Sequence, residues 1–352
     1  MNASPLRTTS TPPCAGLYGA ALADARAAGL LRPRPWPHVA LGVVNLVLLA
    51  GVVASLVVWG GWWPVTVAGA VVLAVVSTQF GFLGHDAAHR QVTRRRAACT
   101  ALGLLHANLL CGLSYAWWID KHNAHHARPN DLDADPDVRP GAIVFDSGHA
   151  SMRTGWRHLA TRYQAWLFFP LLLLEAANLY IAGIRALVGP GLRHRTTELM
   201  LIGVHSALYL WLLVATLPWS QVVGFVAIHQ GLRGLYLGLS FAPNHKGMPV
   251  LGQEEAADPF LRQVLTSRNI RGGPVVSLAL GGLNHQIEHH LFPSMPRANL
   301  SRARKLVKPL CESHGVPYTE TSAGSSYAQV FRHLHAVGSA AGPPAPRRGP
   351  AV

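Results

Sequence analysis

Apolar residues run without a polar face from His38 to Trp59 and again from Trp62 to Leu83, the two runs separated only by Gly60 and Gly61. A helix rises about 1.5 Å per residue, so roughly 20 such residues cross the ~30 Å hydrocarbon layer of a bilayer. Each run therefore predicts a membrane-spanning helix. Arg26, Arg32 and Arg34 precede the pair and Arg90, Arg94, Arg95 and Arg96 follow it, with no charge in the turn. By the positive-inside rule this is a hairpin with both ends in the cytoplasm. The next apolar stretch, Cys99 to Leu113, carries His106 and Asn108 and is short for a span. It predicts a segment lying on the membrane surface or packed against protein.

Three further apolar segments follow, Tyr163 to Val188, Leu199 to Leu217 and Val222 to Phe241. The first contains Glu175, Asn178 and Arg185, with Arg153, Arg157 and Arg162 before it and Arg193 and Arg195 after it. Basic residues at both ends predict a helix in the cytoplasmic interface. The other two are joined by the uncharged turn Pro218, Trp219, Ser220 and Gln221 and predict a second hairpin. The expected fold is all-α: four transmembrane helices in two hairpins under a cytoplasmic helical cap. Beyond about residue 245 the chain turns polar, with helical patterning from Arg297 to Leu310, and it ends in GSAAGPPAPRRGPAV, which predicts a disordered tail. The boundaries read this way are 1–36 for a cytoplasmic N-terminal segment, 37–335 for the membrane domain and 336–352 for the tail. No internal repeat is visible beyond the two hairpins.

Composition agrees with a membrane protein: 50% of the 352 residues are hydrophobic and 13% charged. The net charge of +14 does not indicate nucleic acid, because the basic residues flank apolar stretches and are not interleaved with aromatics. Cys14, Cys99, Cys111 and Cys311 are scattered and form no CxxC pair, so they indicate neither a disulfide framework nor a rubredoxin-type or zinc-ribbon site. The N-terminus lacks the pattern of a cleaved signal peptide, so the first hydrophobic helix is expected to direct insertion.

The chemistry lies in the histidines. Of 19, most of the clustered ones fall in three groups just outside the expected spans: His85 and His89 in GHDAAHR, His122, His125 and His126 in KHNAHHARPN, and His289 and His290 in NHQIEHHLFP, where Gln286 opens the same i, i+3, i+4 spacing with an amide. On a helix each set shares one face. Imidazole suits iron, copper and zinc alike, but so many ligands exceed the coordination of one ion and suit two held side by side. Asp86, Asp120 and Glu288 adjoin the clusters and are expected to orient them from outside the ligand shell. The scattered histidines His106, His149, His158, His194, His205, His314, His333 and His335 read as surface or packing residues. His229 and Arg233 share one face of an apolar helix, where ionisable groups tend to be functional.

These strings resemble the membrane fatty acid desaturases, in particular bacterial acyl-CoA or acyl-lipid desaturases with a QxxHH third box. The resemblance runs from about residue 80 to 310, through GHDAAHRQ, WWIDKHNAHH, FAPNHKGMP, LTSRNIRGG and GGLNHQIEHHLFPSMPR. It implies a non-haem centre of two iron ions that uses O2 to remove two hydrogens from adjacent methylenes of an acyl chain. Its ligands would be His85, His89, His122, His125, His126, His289 and His290, and the family's further histidine falls on His245. Gln286 and His285 are a ligand or a support of one, with His285 expected to be the latter. The substrate would be a fatty acyl-CoA or acyl-lipid, the location a bacterial cytoplasmic membrane with the site facing the cytoplasm. No HPGG motif of a fused cytochrome b5 is present, so a ferredoxin or oxidoreductase is the expected donor. Trp117, Trp118 and Tyr115 are candidates for an acyl tunnel, and Arg128, Lys246 and Arg268 for a head group. A hydroxylase built on similar boxes is the nearest rival. A histidine-rich metal transporter is the rival from another class, although transporters place ligands near mid-bilayer.

Overall fold

The computed structural model describes residues 16–251 and 256–341. The start of the N-terminal segment, including Cys14, and the tail beyond 341 lie outside the described residues. Among the described residues the protein is helical, with one two-residue parallel pairing between β1 (Asn269–Ile270) and β2 (Glu320–Thr321). In chain order the helices are α1 (Leu17–Ala27), α2 (Pro35–Trp59), α3 (Trp63–Ala88), α4 (Arg96–Gly103), a π-helical segment (Leu104–Leu110) and α5 (Tyr115–Ala127). Then come α6 (Ser147–Ser151), α7 (Gly155–Arg162), α8 (Gln164–Leu172), α9 (Glu175–Val188), α10 (Arg195–Thr216) and α11 (Trp219–His245). The C-terminal part holds α12 (Pro259–Leu265), α13 (Pro274–Ala279), α14 (Gln286–Leu291), α15 (Arg297–Ser313) and α16 (Ala323–Ala340).

Four helices, α2, α3, α10 and α11, are long and apolar enough to cross a membrane. They are the two expected hairpins. Their facing sides interlock through Leu56, Ala70, Leu213 and Phe225, while α2 turns Val43, Val47 and Val57 outward, as a helix in contact with lipid does. The tips of the hairpins are tied together: Gln221 Nε2 donates to the Gly61 carbonyl at 2.5 Å and Thr66 Oγ1 donates to Gln221 Oε1 at 2.7 Å. Two other apolar stretches are bent. Helix α4 with its π-helical continuation (Arg96–Leu110) meets α5 at 113°, and α8 meets α9 at 74°. The stretch from Cys99 to Leu113, expected on the surface or against protein, packs against protein, with His106, Asn108 and Cys111 buried. The 163–188 stretch is two helices, and its break seats on α11, where a Cβ at Gly234 would lie 2.5 Å from the Leu172 carbonyl oxygen.

Two elements pack across the boundaries expected from the sequence. Within the described part of 1–36, α1 buries Leu17, Ala21 and Ala25 in one core with Phe260, Ile287 and Leu300. Residues 336–341, placed in the expected tail, pack on the protein. Helix α16 continues to Ala340, and Val337 and Ala341 are buried beside Val144 and Ala150; a run of small residues there packs tightly.

Candidate metal centre

Each histidine box sits at the end of a rigid element. His85 lies in the last turn of α3 and His89 is its C-cap. Ser114 caps the start of α5, and 3.6-residue periodicity then sets His122, His125 and His126 on one side of it. His245 is the last residue of α11. The third box occupies the short α14, which Asn269 anchors: its Oδ1 accepts from Ile287 N at 2.9 Å and its Nδ2 donates to Glu288 Oε2 at 2.8 Å.

The boxes converge. His85, His89, His122 and His289 each present a ring nitrogen within 4.8 Å of the others, and His125, His245 and His290 form a second such group. Nε2 atoms face each other at 3.2 Å between His85 and His289, 2.9 Å between His89 and His122, and 3.4 Å between His125 and His245. His126 joins the two groups. Its Nε2 is 3.0 Å from His122 Nε2, and its ring lies on that of His290 with centroids 4.2 Å apart.

The environment favours neutral rings. Burial, and after it the repulsion of neighbouring imidazoles, holds His89, His289 and His290 well below the usual histidine range. Lone pairs are thus turned into a space that holds few donors, and His290 Nε2 is buried without a partner. Converging unpaired acceptors are costly unless a cation satisfies them. In the second group the outer nitrogens are fixed: His125 Nδ1 donates to Asp135 Oδ2 at 2.9 Å, His245 Nδ1 to the Thr266 carbonyl at 3.0 Å, and His290 Nδ1 to Gln263 Oε1 at 2.9 Å. Each bond leaves Nε2 as the inward-facing acceptor, the arrangement metal-bound histidines use. The residues present fit two metal ions. Gln286 Nε2 approaches His245 Nε2 at 2.9 Å, and Asn244 Nδ2 holds Gln286 Oε1 at 3.2 Å.

The outer residues differ from expectation in several places. Asp86 does stand beside His85, with Oδ1 3.7 Å from Nδ1, but its Oδ2 accepts from Arg297 Nε at 2.6 Å. Asp120 is exposed and meets no histidine among the described residues; it falls on the far side of α5. Glu288 turns away from the rings to accept from Asn269 and, at 2.7 Å, from Tyr318 OH, and burial raises its carboxyl to about 6. His285 is buried outside both nitrogen groups. Arg268 offers nothing to a head group, because it is fully buried with Nε on the Pro243 carbonyl at 2.6 Å and Nη2 on that of Lys246 at 2.5 Å. His229 and Arg233 lie within the helix bundle, His229 between Ser77 Oγ and Tyr209 OH, each 2.9 Å away. Trp118 stacks on His122 at 4.3 Å and meets His85 edge-on. The sequence reading missed Asp135, Gln263 and Thr266. The aspartate run 131–137 behind the second box was a signal for the first of these; nothing local marked the other two.

A family model described as fatty acid desaturase matches residues 60–322, which include all three boxes and His245. The chain belongs to this family of oxidoreductases. It is 32% identical over 271 residues to an acyl-lipid (9-3)-desaturase of Borago officinalis, covering 73% of this chain and 60% of that protein. It is 31% identical to a Delta(8)-fatty-acid desaturase 2 of Arabidopsis thaliana, covering 84% and 67%, and 30% identical to the Delta(6)-fatty-acid desaturase fat-3 of Caenorhabditis elegans, covering 78% and 64%. The chain thus spans about three fifths to two thirds of the length of these curated relatives. With its long apolar helices, this family member is a membrane protein.

Proposed function

We propose that the protein desaturates a fatty acyl chain, carried as acyl-lipid or acyl-CoA, at a histidine-ligated pair of iron ions on the cytoplasmic side of the membrane. The observation that carries this reading is the meeting of all three boxes and His245 in two adjoining groups of ring nitrogens, in a chain of this family. The first group would hold one ion through His85, His89, His122 and His289, and the second the other through His125, His245 and His290, with His126 between them. Two iron ions there would supply the activation of O2 and the removal of two hydrogens from adjacent methylenes.

The chain's own residues do the positioning. Asp135, Gln263 and the Thr266 carbonyl keep three rings in the tautomer that offers Nε2 inward. Trp118 covers the His122 ring, which excludes water from one side of the site. The protein fixes which carbons face the centre, and so the outcome of the reaction. Overall, CH2–CH2, O2, two electrons and two protons become CH=CH and two waters, with the electrons coming from a ferredoxin or oxidoreductase. The four long helices are read as spans, with 1–36 and the helical cap cytoplasmic.

The test is the fatty acid profile, by gas chromatography with double-bond location, of a desaturase-deficient bacterial host supplied with a donor and expressing either this chain or His126→Ala. A new unsaturated acid made only by the unmutated chain is expected. Hydroxylated products would move the reading to a hydroxylase, and an unchanged profile with both proteins present would reject an acyl substrate.

A further inference from the structure

Between the π-helical segment and α5 the chain reverses through residues 111–114, all of them buried. A reversal inside an apolar bundle strands backbone donors and acceptors that no water reaches, so protein groups must satisfy them. Two ionisable residues of the second hairpin do so. Arg233 on α11, 3% exposed, donates from Nη2 to the Cys111 carbonyl at 2.6 Å and contacts Cys111 Sγ at 3.0 Å. Glu198 in the first turn of α10, fully buried, accepts from Ala116 N at 2.8 Å, Ser114 Oγ at 2.7 Å and Asn108 Nδ2 at 3.0 Å. Neither forms an ion pair with another side chain among the described residues.

The signs of charge fit the backbone. The cation meets the carbonyl end of the π-helical segment, where the helix dipole is negative, and the carboxylate meets the amide end of α5, where it is positive. His205 adds a third tie, from Nδ1 to the Leu109 carbonyl at 2.8 Å. The fit is close: Gly112 has φ +70°, and a Cβ there would lie 2.6 Å from the His205 ring. Helix α5 rises from this point and carries His122, His125 and His126 about two to three turns above the clamp. A small tilt or roll at its base is carried to all three rings.

We propose that Glu198 and Arg233 are positioning residues that set the height and roll of α5, and so bring the second box into register with the ligands on α3, α11 and α14. The inference rests on the metal-site reading above, and its test separates the two. The full-length chain in detergent is loaded with ferrous iron and its iron content measured, and amide hydrogen exchange of α5 is followed in iron-free protein. Glu198→Ala and Arg233→Met are each expected to lower iron per chain by about half or more and to speed exchange in the first turns of α5 by about tenfold or more, with α2 and α3 unchanged. Glu198→Gln, which keeps an acceptor oxygen without the charge, and Arg233→Lys, which keeps the charge without the fork, should fall between; they carry the comparison should the harsher variants not fold. Leu213→Ala, a cavity in the bundle core remote from the clamp, should lower the melting temperature and leave iron content alone.

Wild-type iron content and unchanged α5 exchange in the Glu198 and Arg233 variants would overturn the proposal. Equal iron loss in Leu213→Ala would overturn it as well, because the loss would then follow bundle stability. If the unmutated chain takes up no histidine-dependent iron, the metal reading fails and the exchange result alone decides the clamp.

Discussion

The two nitrogen groups look alike in composition and differ in how they are held. In the second group His125, His245 and His290 are all buried, and each has its outer nitrogen bonded to a carboxylate, a carbonyl or an amide oxygen. In the first group His89 and His122 are only partly buried, and the one outer carboxylate, Asp86, stands 3.7 Å from His85, beyond a hydrogen bond. One group is preorganised by a full outer shell; the other is set mainly by the helices that carry it and by Trp118. The two halves should therefore respond differently to damage.

His126→Ala should have the largest effect, because its ring joins both groups: iron should fall from two to below about one per chain, and product formation should vanish. Asp135→Ala comes next. It frees the His125 ring, and metal affinity in the second group should drop about 10- to 100-fold while the first group keeps its ion. Titration of the apo-protein with cobalt, followed optically, would resolve the two, and equal loss from both groups would count against the distinction. Gln263→Ala should weaken the same group by about tenfold at most, since a water can replace the lost acceptor of His290 Nδ1.

The smallest effect concerns Glu288. Burial lifts its carboxyl to about 6, above its value near 4.5 in an open chain. The folded state therefore holds this proton more tightly than the unfolded one. The stability this gives is fully present below about pH 4.5 and is lost as pH rises through 6, by about 2 kcal/mol. Glu288→Gln removes that dependence, so its melting temperature relative to the unmutated chain should rise between pH 5 and pH 7.5. A flat difference would show that Asn269 and Tyr318 keep the carboxylate ionised.

Much of this was legible along the chain. The two hairpins follow from the length of uncharged runs, and the boxes from i, i+4 or i, i+3, i+4 spacing, both properties of a single helix. The outer shell was less so. Adjacency in sequence pointed to Asp120 and Glu288, but neighbours on a helix point about 100° apart, which sends Asp120 to solvent and Glu288 toward Asn269 and Tyr318. Gln263 and Thr266 carried no local mark, because their role exists only where α12 and the loop after it pass the third box. Arg268 looked like a surface cation for the same reason: its carbonyl partners at Pro243 and Lys246 come from the end of α11.

The sequence by itself determined the apolar helices, the placing of histidines at their ends and the family, because hydrophobic length and helical spacing are local. Only the tertiary structure decided how the second box is divided, with His122 turned to the first group, His125 to the second and His126 between them. Three positions on one face of α5 still fan across an arc, and which arriving ring each one meets depends on how α3, α11 and α14 pack around it. Local spacing supplies the ligands; the relative placing of distant helices apportions them.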